Sequence, residues 1–236
     1  MAKGLFVIGT DTDVGKTFVT AGITYILRKH NFNACSFKPV QSGGIVKDNK
    51  VLSGDIEFVK DITEINETNT MMNSYCLKEA VSPHIAAEIE NVTIDKNKIL
   101  EDYKKLQEKY DYVIVEGAGG IIVPLIRGKY YIYDLVKDLD IPVIIVARAG
   151  VGTINHTALT VDFIKRLGIE IKGLIINGYS NSFYEDDNIK VLKNITNVDV
   201  ISIINKLNIG ENEDFISKAR VEYDNSLEIK KVLNLF

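Results

Sequence analysis

Six unbroken apolar runs punctuate the chain: GLFVIG at 4–9, ACSF at 34–37, YVIVEG at 112–117, PVIIVAR at 142–148, IKGLIING at 171–178 and DVISII at 199–204. Most are rich in β-branched residues and too short for helices, so they predict strands buried on both faces. Between them, apolar residues recur with a helical period over 16–30, 81–90, 95–109, 152–167, 184–194 and 225–236. Strand and helix by turns predict an α/β fold, a single doubly wound and mostly parallel sheet with helices on both faces. No repeat, low-complexity tract or Pro/Gly/Ser linker divides residues 1–236, and the four prolines are scattered, so one domain is expected. The least regular stretch is 39–80, where a loop following a strand in such a sheet is placed to bind ligand.

Length changes little, since 236 residues suffice for one large core. The formal charge of −4 gives no global attraction to nucleic acid or anionic lipid, so neither is expected as a partner. The start MAKGLFVIGT has too short an apolar run for a signal peptide, and no later run approaches a membrane span; a cytoplasmic protein is expected. Cys35 and Cys76 lack the spacing of a zinc site and read as two reduced structural thiols.

The chemistry starts at VIGTDTDVGKTF, residues 7–18. Gly15-Lys16-Thr17 ends it as a phosphate-binding loop ends, yet the opening glycine of G-x-x-x-x-G-K-[ST] falls where Thr10 stands, and a glycine occurs one place early at Gly9. Strand, loop and helix follow in the required order. Backbone N–H groups at the helix start would hold phosphate oxygens, Lys16 would neutralise charge, and the Thr17 hydroxyl would be available to Mg²⁺. Glu116 ends the strand YVIVE, where such proteins carry a second acidic residue, and Gly117-Ala118-Gly119-Gly120 follows it. Pairing with a structural lysine is the other account of Glu116. Asp55, in LSGDIEF, is a third candidate metal ligand and equally a helix N-cap. In FKPVQSGG, Pro39 stiffens the turn and holds Lys38 at the sheet edge, although a surface lysine is the commoner role for such a residue.

Taken together, GTDTDVGKT, KPVQSGG, SPHIAA, VEGAGG and GTINH resemble the dethiobiotin synthetase family in order and separation, over residues 4–178. Each motif alone is widely shared; the set of five is specific. The resemblance implies a phosphate-loop NTPase fold and a ligase of biotin biosynthesis. Such an enzyme closes the ureido ring of dethiobiotin from 7,8-diaminononanoate and CO₂, with ATP and Mg²⁺. It implies that Asp13, Val14, Gly15, Lys16, Thr17, Phe18, Asp55, Glu116, Gly117, Ala118, Gly119 and Asn177 hold nucleotide and that Thr17, Asp55 and Glu116 hold the metal. Lys16, Lys38 and Thr12 would act in catalysis. Thr12, Lys38 and Ser42 would contact the diamine, and Gly152, Thr153, Ile154 and Asn155 would receive its carboxylate from a neighbouring subunit of a homodimer. In the family the early glycine and longer loop are normal. His84 and His156 read as structural. Asp13 stands where many relatives have Glu, and VISIINKL lacks the Ile/Leu-Pro usual near 202–204, beside the base.

Two other readings compete. An amide-forming ligase of the cobyrinate diamide synthase type shares the loop but carries a glutaminase domain for which this chain has no room. A partitioning-type switch ATPase needs a lysine early in the loop, where Asp11 has the opposite charge. Its membrane-binding tail could be matched by NSLEIKKVLNLF, with Ile229, Val232, Leu233 and Phe236 along one face, but packing of that tail on its own core is expected.

Overall fold

A computed structural model describes residues 2–48, 50–210 and 213–236. Seven strands, all parallel, form one sheet: β1 Lys3–Gly9, β2 Ala34–Gln41, β5 Asn73–Cys76, β6 Tyr112–Gly120, β9 Val143–Arg148, β10 Ile171–Tyr179 and β11 Val200–Asn205. Their order is β11-β10-β9-β1-β6-β2-β5. Two small antiparallel hairpins stand apart, β3 Ile45–Lys47 with β4 Lys50–Leu52, and β7 Pro124–Ile126 with β8 Tyr130–Tyr131. Leu5, Phe6, Val7, Val113, Ile114, Val115, Val143, Ile144 and Ile145 are fully buried, as unbroken apolar runs in a covered sheet must be.

The helices are α1 Lys16–Lys29, α2 Gly54–Thr63, α3 Asn69–Met72, α4 Pro83–Ile89, α5 Lys96–Lys109, α6 Ile132–Leu139, α7 Thr153–Arg166, α8 Phe183–Thr196, α9 Phe215–Ser226 and α10 Ile229–Leu233. α1 packs with α2, α9 and α10, while α5 meets α6 and α7 meets α8. Chain order reverses between β1 and its neighbours, so the loops after β1, β2 and β6 open into one crevice at the carboxyl ends of the strands. The β1–β6 register runs Val7↔Glu116 and then slips, with Gly9 opposite Gly120, which raises the Gly-rich end of β6 beside the loop that follows β1.

Three expectations need correction. The stretch 39–80 is not irregular: it contains the first hairpin, α2, α3 and β5. The helix α6, with Ile132, Leu135, Val136 and Leu139 buried on one face, lies in a stretch given no element. The expected helix 225–236 is broken, because Leu227 adopts an extended conformation with its side chain buried, while the Ser202 hydroxyl takes the Ser226 carbonyl at 2.6 Å. The tail beyond it does pack on the chain's own core: Val232 and Leu235 are buried and Phe236 stands edge-on to Tyr112 at 5.0 Å. Among the described residues no helix is long and apolar enough to cross a membrane.

Candidate active site

The loop 10–15 begins where β1 ends, and its shape explains the displaced glycine. A Cβ at Gly9 would stand 2.7 Å from the Asp11 carbonyl and 2.8 Å from Lys16 Nζ, so this position must be bare for the loop to fold back over the strand. Gly15 has φ +93°, and a Cβ there would lie 1.9 Å from Asn177 Nδ2. Asn177, at the end of β10, donates to the Val14 carbonyl at 3.0 Å and so braces the loop from beneath. Val14 is buried, whereas Thr12 and Asp13 are exposed, Asp13 at φ 57°. Arg148, at the end of β9, donates to the Thr12 carbonyl at 3.3 Å.

Lys16 is buried, and its ammonium donates to the Asp11 carbonyl at 2.9 Å. Burial, reinforced by the charge of Lys38, draws its pKa down to about 8 against the pull of Glu116, Asp55 and Asp13. Thr17 Oγ1 donates to Glu116 Oε1 at 2.8 Å. Lys38 is 4% exposed and lies between two carboxylates, 2.6 Å from Asp55 Oδ2 and 2.7 Å from Glu116 Oε1, with a further bond to the Gly117 carbonyl at 3.1 Å. It is no surface lysine. Burial works against the Lys38 charge, but Glu116 and Asp55 outweigh it and raise the pKa above the ordinary lysine value. Burial together with the nearby Asp55 charge raises that of Glu116. For Asp55 burial acts upward, yet the attraction of Lys38 and hydrogen bonds to Lys38, Glu116 and Thr17 bring it below the usual carboxylate range.

Asp55 is not the cap of its helix. Ser53 caps α2, accepting from Ile56 N–H at 3.2 Å, and this leaves the Asp55 carboxylate in the first turn free to reach Lys38. Three loops thus converge, one per strand: Lys16 and Thr17 after β1, Lys38 on β2 with Asp55 beyond the hairpin, and Glu116 on β6. They bound a cavity of about 900 Å³ that is also lined by Thr12, Asp13, Gly15, Phe18, Ser42, Ala118 and Gly119. Lining it too, but missed from sequence, are Val40, Gln41, Gly43, Phe58, Ala80, Val81, Ser82, Pro83 and Val123. For Ser82 and Pro83 the signal was the SPHIAA motif; Phe58 lies on the unforeseen α2 and carried none.

Gly152, Thr153, Ile154 and Asn155 do not line this cavity. Gly152 (φ 90°) opens α7, Thr153 is buried against Thr157, and Ile154 packs on Ala147, Ala149, Ile176 and Leu192. Thr153 and His156 instead line a separate cavity of about 420 Å³ with Asp11, Arg148 and Lys206.

A lysine-bearing loop wrapped around a helix N-terminus at the head of a parallel sheet defines a phosphate-loop NTPase. Solved structures agree at the level of fold. A MinC:MinD cell division complex from Aquifex aeolicus matches with TM-score 0.58 and 15% identity, over 94% of this chain and 86% of that one. A ParA family ATPase from Chlorobium tepidum TLS matches with TM-score 0.56 and 15% identity, over 99% and 92%. A family model described as an AAA domain matches residues 3–213. Sequence relatives are more particular. The ATP-dependent dethiobiotin synthetase BioD of Clostridium novyi (strain NT) is 42% identical over 237 residues, 99% of each chain. That of Fusobacterium nucleatum subsp. nucleatum is 43% identical over 220 residues, 93% of this chain and 97% of the relative. The chain belongs to the ATP-dependent dethiobiotin synthetase family.

Proposed function

We propose that this protein is the ATP- and Mg²⁺-dependent cyclo-ligase that converts 7,8-diaminononanoate and CO₂ to dethiobiotin. Family membership over the whole length supports the overall reaction. The observation that carries the chemistry is the meeting of two buried lysines, a hydroxyl and two carboxylates in one cavity beneath a phosphate loop.

One amine adds CO₂ to give a carbamate. A carbamate oxygen attacks the γ-phosphorus of ATP, ADP leaves, and the neighbouring amine attacks the carbamoyl carbon to expel phosphate and close the ring. The second step brings two anions together, and the chain's answer is local positive charge. Lys16 and Lys38 flank the point of attack and offset the repulsion, and backbone N–H groups of 13–18 fix the phosphates. Thr17, Asp55 and Glu116 suit Mg²⁺, since all are hard oxygen donors and the two carboxylates converge closely enough for both to pair with the Lys38 ammonium. Bound there, the metal would neutralise charge on the transferring phosphoryl group. Thr12 and Ser42 contact the diamine, Gly117, Ala118 and Gly119 allow close approach, and Asn177 with Phe18 borders the nucleoside end.

The start of α7 lies off the chain's own cavity, which supports a homodimer in which residues 152–155 of one protomer receive the carboxylate of the diamine bound by the other. The chain is read as one domain throughout, acting in the cytoplasm without nucleic acid or membrane.

Dependence of γ-phosphate release on CO₂ tests the reaction. Purified protein with MgATP alone, or with only diamine or only CO₂ added, should release little phosphate; both together should release it in step with the cyclic urea. Diamine-dependent release that is unchanged in CO₂-depleted buffer would rule the proposal out.

A further inference from the structure

The pairing of β3 with β4 lies between Ser42, on the proposed diamine side of the cavity, and Asp55, on the proposed metal side, and β3 packs poorly: Ile45 and Val46 are each 55% exposed. A two-stranded ribbon of this size is marginal on its own, and its entry is tied to the chain beyond β5 by Gly43 and Gly44 N–H donating to the Glu79 and Leu77 carbonyls. A polar clasp closes its base. The Ser53 hydroxyl, fully buried, donates to Gln41 Oε1 at 3.0 Å and accepts from Ile56 N–H; Gln41 Nε2 donates to the Ser42 carbonyl at 2.7 Å. On the outer side Ser53 N–H donates to Asn69 Oδ1 at 3.1 Å, and Asn69 Nδ2 donates to Glu57 Oε1 at 2.7 Å. One hydroxyl thus caps the helix that carries Asp55 and, through one side-chain amide, grips the backbone of Ser42.

We propose that Ser53 and Gln41 are positioning residues that set the distance between the metal-side carboxylate of Asp55 and the substrate-side loop at Ser42. This rests on the function proposed above. Gln41 borders the cavity, but in this role it acts on neither metal nor diamine directly: both its amide oxygen and its amide nitrogen are engaged with the chain. With the clasp intact, a metal held at Asp55 and a carbamate held at Ser42 lie in fixed register across the γ-phosphate. With it open, each half-site persists and their alignment is lost, so substrate affinity and turnover change more than nucleotide affinity.

The test compares Gln41→Met, which keeps length and removes both bonds, with Ser53→Ala and with the double variant, in which the Ser53–Gln41 bond loses both members while Ile56 N–H loses its cap. Four quantities are read for each: melting temperature, affinity for metal-free ATP, Mn²⁺ affinity of the ATP-bound protein by electron paramagnetic resonance, and KM and kcat for the diamine. Expected for Gln41→Met are unchanged metal-free ATP affinity, Mn²⁺ affinity lowered several-fold and kcat/KM for diamine lowered about tenfold. The double variant also loses the cap of α2 and should melt no higher than Gln41→Met, while its diamine kinetics should be impaired by less than the two single losses combined, because the two residues act as one clasp. Kinetic losses that simply add across the two single variants would overturn the proposal, as would wild-type Mn²⁺ affinity and KM in a correctly folded Gln41→Met protein. Should wild-type protein fail to turn over diamine, the proposed function fails, and the Mn²⁺ measurement alone decides whether the clasp positions Asp55.

Discussion

Glu116 is buried to 2% exposure and touches both Lys38 and Thr17, so its charge, rather than its shape, is what a conservative change would remove. Glu116→Gln should leave the fold intact, shift the Mg²⁺ activation curve to higher concentration and lower turnover by roughly 100-fold. Steady-state rates across a Mg²⁺ titration check this; wild-type rates at limiting Mg²⁺ would remove Glu116 from the metal set. A second residue-scale expectation concerns Cys35, fully buried, whose thiol burial pushes up from 9.0 to about 12. Because the folded state keeps its proton after the unfolded chain has lost it, the stabilisation is complete below pH 9 and falls as pH rises from 9 towards 12. Its slope is at most about 1.4 kcal/mol per pH unit. Urea unfolding between pH 8.5 and 10.5 should show a steeper loss for wild type than for Cys35→Ala. Lys16 and Thr17 were legible because they open a helix directly after the loop that follows the first apolar strand, and Glu116 because it closes the apolar run of another. Asp55 was ambiguous with a cap, since only the fold shows that Ser53 takes that duty and releases the carboxylate. Gln41 was invisible as a clasp: its partner arrives from beyond a hairpin.

At the scale of elements, six of the seven sheet strands and the helices α1, α4, α5, α7 and α8 followed from periodicity, whereas the four-residue β5 and the helices α2, α6 and α9 did not. The helix α2 is ten residues long and follows two three-residue strands, so no stretch of even spacing marks it. The helix expected over 225–236 spans a break: α9 ends at Ser226, whose carbonyl accepts from the Ser202 hydroxyl, Leu227 is extended, and α10 starts only at Ile229. The short α10 offers a direct check on the tail. Val232 is 1% exposed, so Val232→Asp should lower stability by roughly 3 kcal/mol or more. A tail serving as a membrane helix would instead lose vesicle binding at little cost in stability. Denaturant melts and vesicle flotation of the same variant separate the two. Gly22 on α1 makes a companion case: a Cβ there would stand 2.6 Å from the Tyr223 ring of α9. Tyr223 also donates to the Phe18 carbonyl at 2.8 Å, so Gly22→Ala should push α9 outwards and weaken both stability and nucleotide binding.

At the scale of the whole molecule, residues 152–155 lie off the cavity that Lys16 and Lys38 line, so the carboxylate contact proposed for them requires a second protomer. Complementation tests this. Lys16→Ala and Asn155→Ala proteins, each inactive alone, should recover up to about a quarter of wild-type activity when mixed and allowed to exchange, since random pairing makes half the dimers mixed and each of these holds one intact site. No recovery from folded, exchanging variants, or full activity in a sedimenting monomer, would exclude a shared site.

The strand order has a consequence for the chain as it is being made. β1 is synthesised before both of its sheet neighbours, β6 at 112–120 and β9 at 143–148, and β2, the sheet strand made next, pairs with β6 and not with β1. At the roughly 5–20 residues per second of synthesis, the apolar segment 3–9 therefore waits on the order of 5–20 s for its first partner. During that interval Leu5, Phe6, Val7 and Ile8, all buried in the finished sheet, have no edge to join. The nascent chain should accordingly be a client of ribosome-associated chaperones until β6 emerges, and ribosome-bound chains arrested before residue 112 should remain protease-sensitive near their N-terminus, whereas chains arrested well after 150 should not.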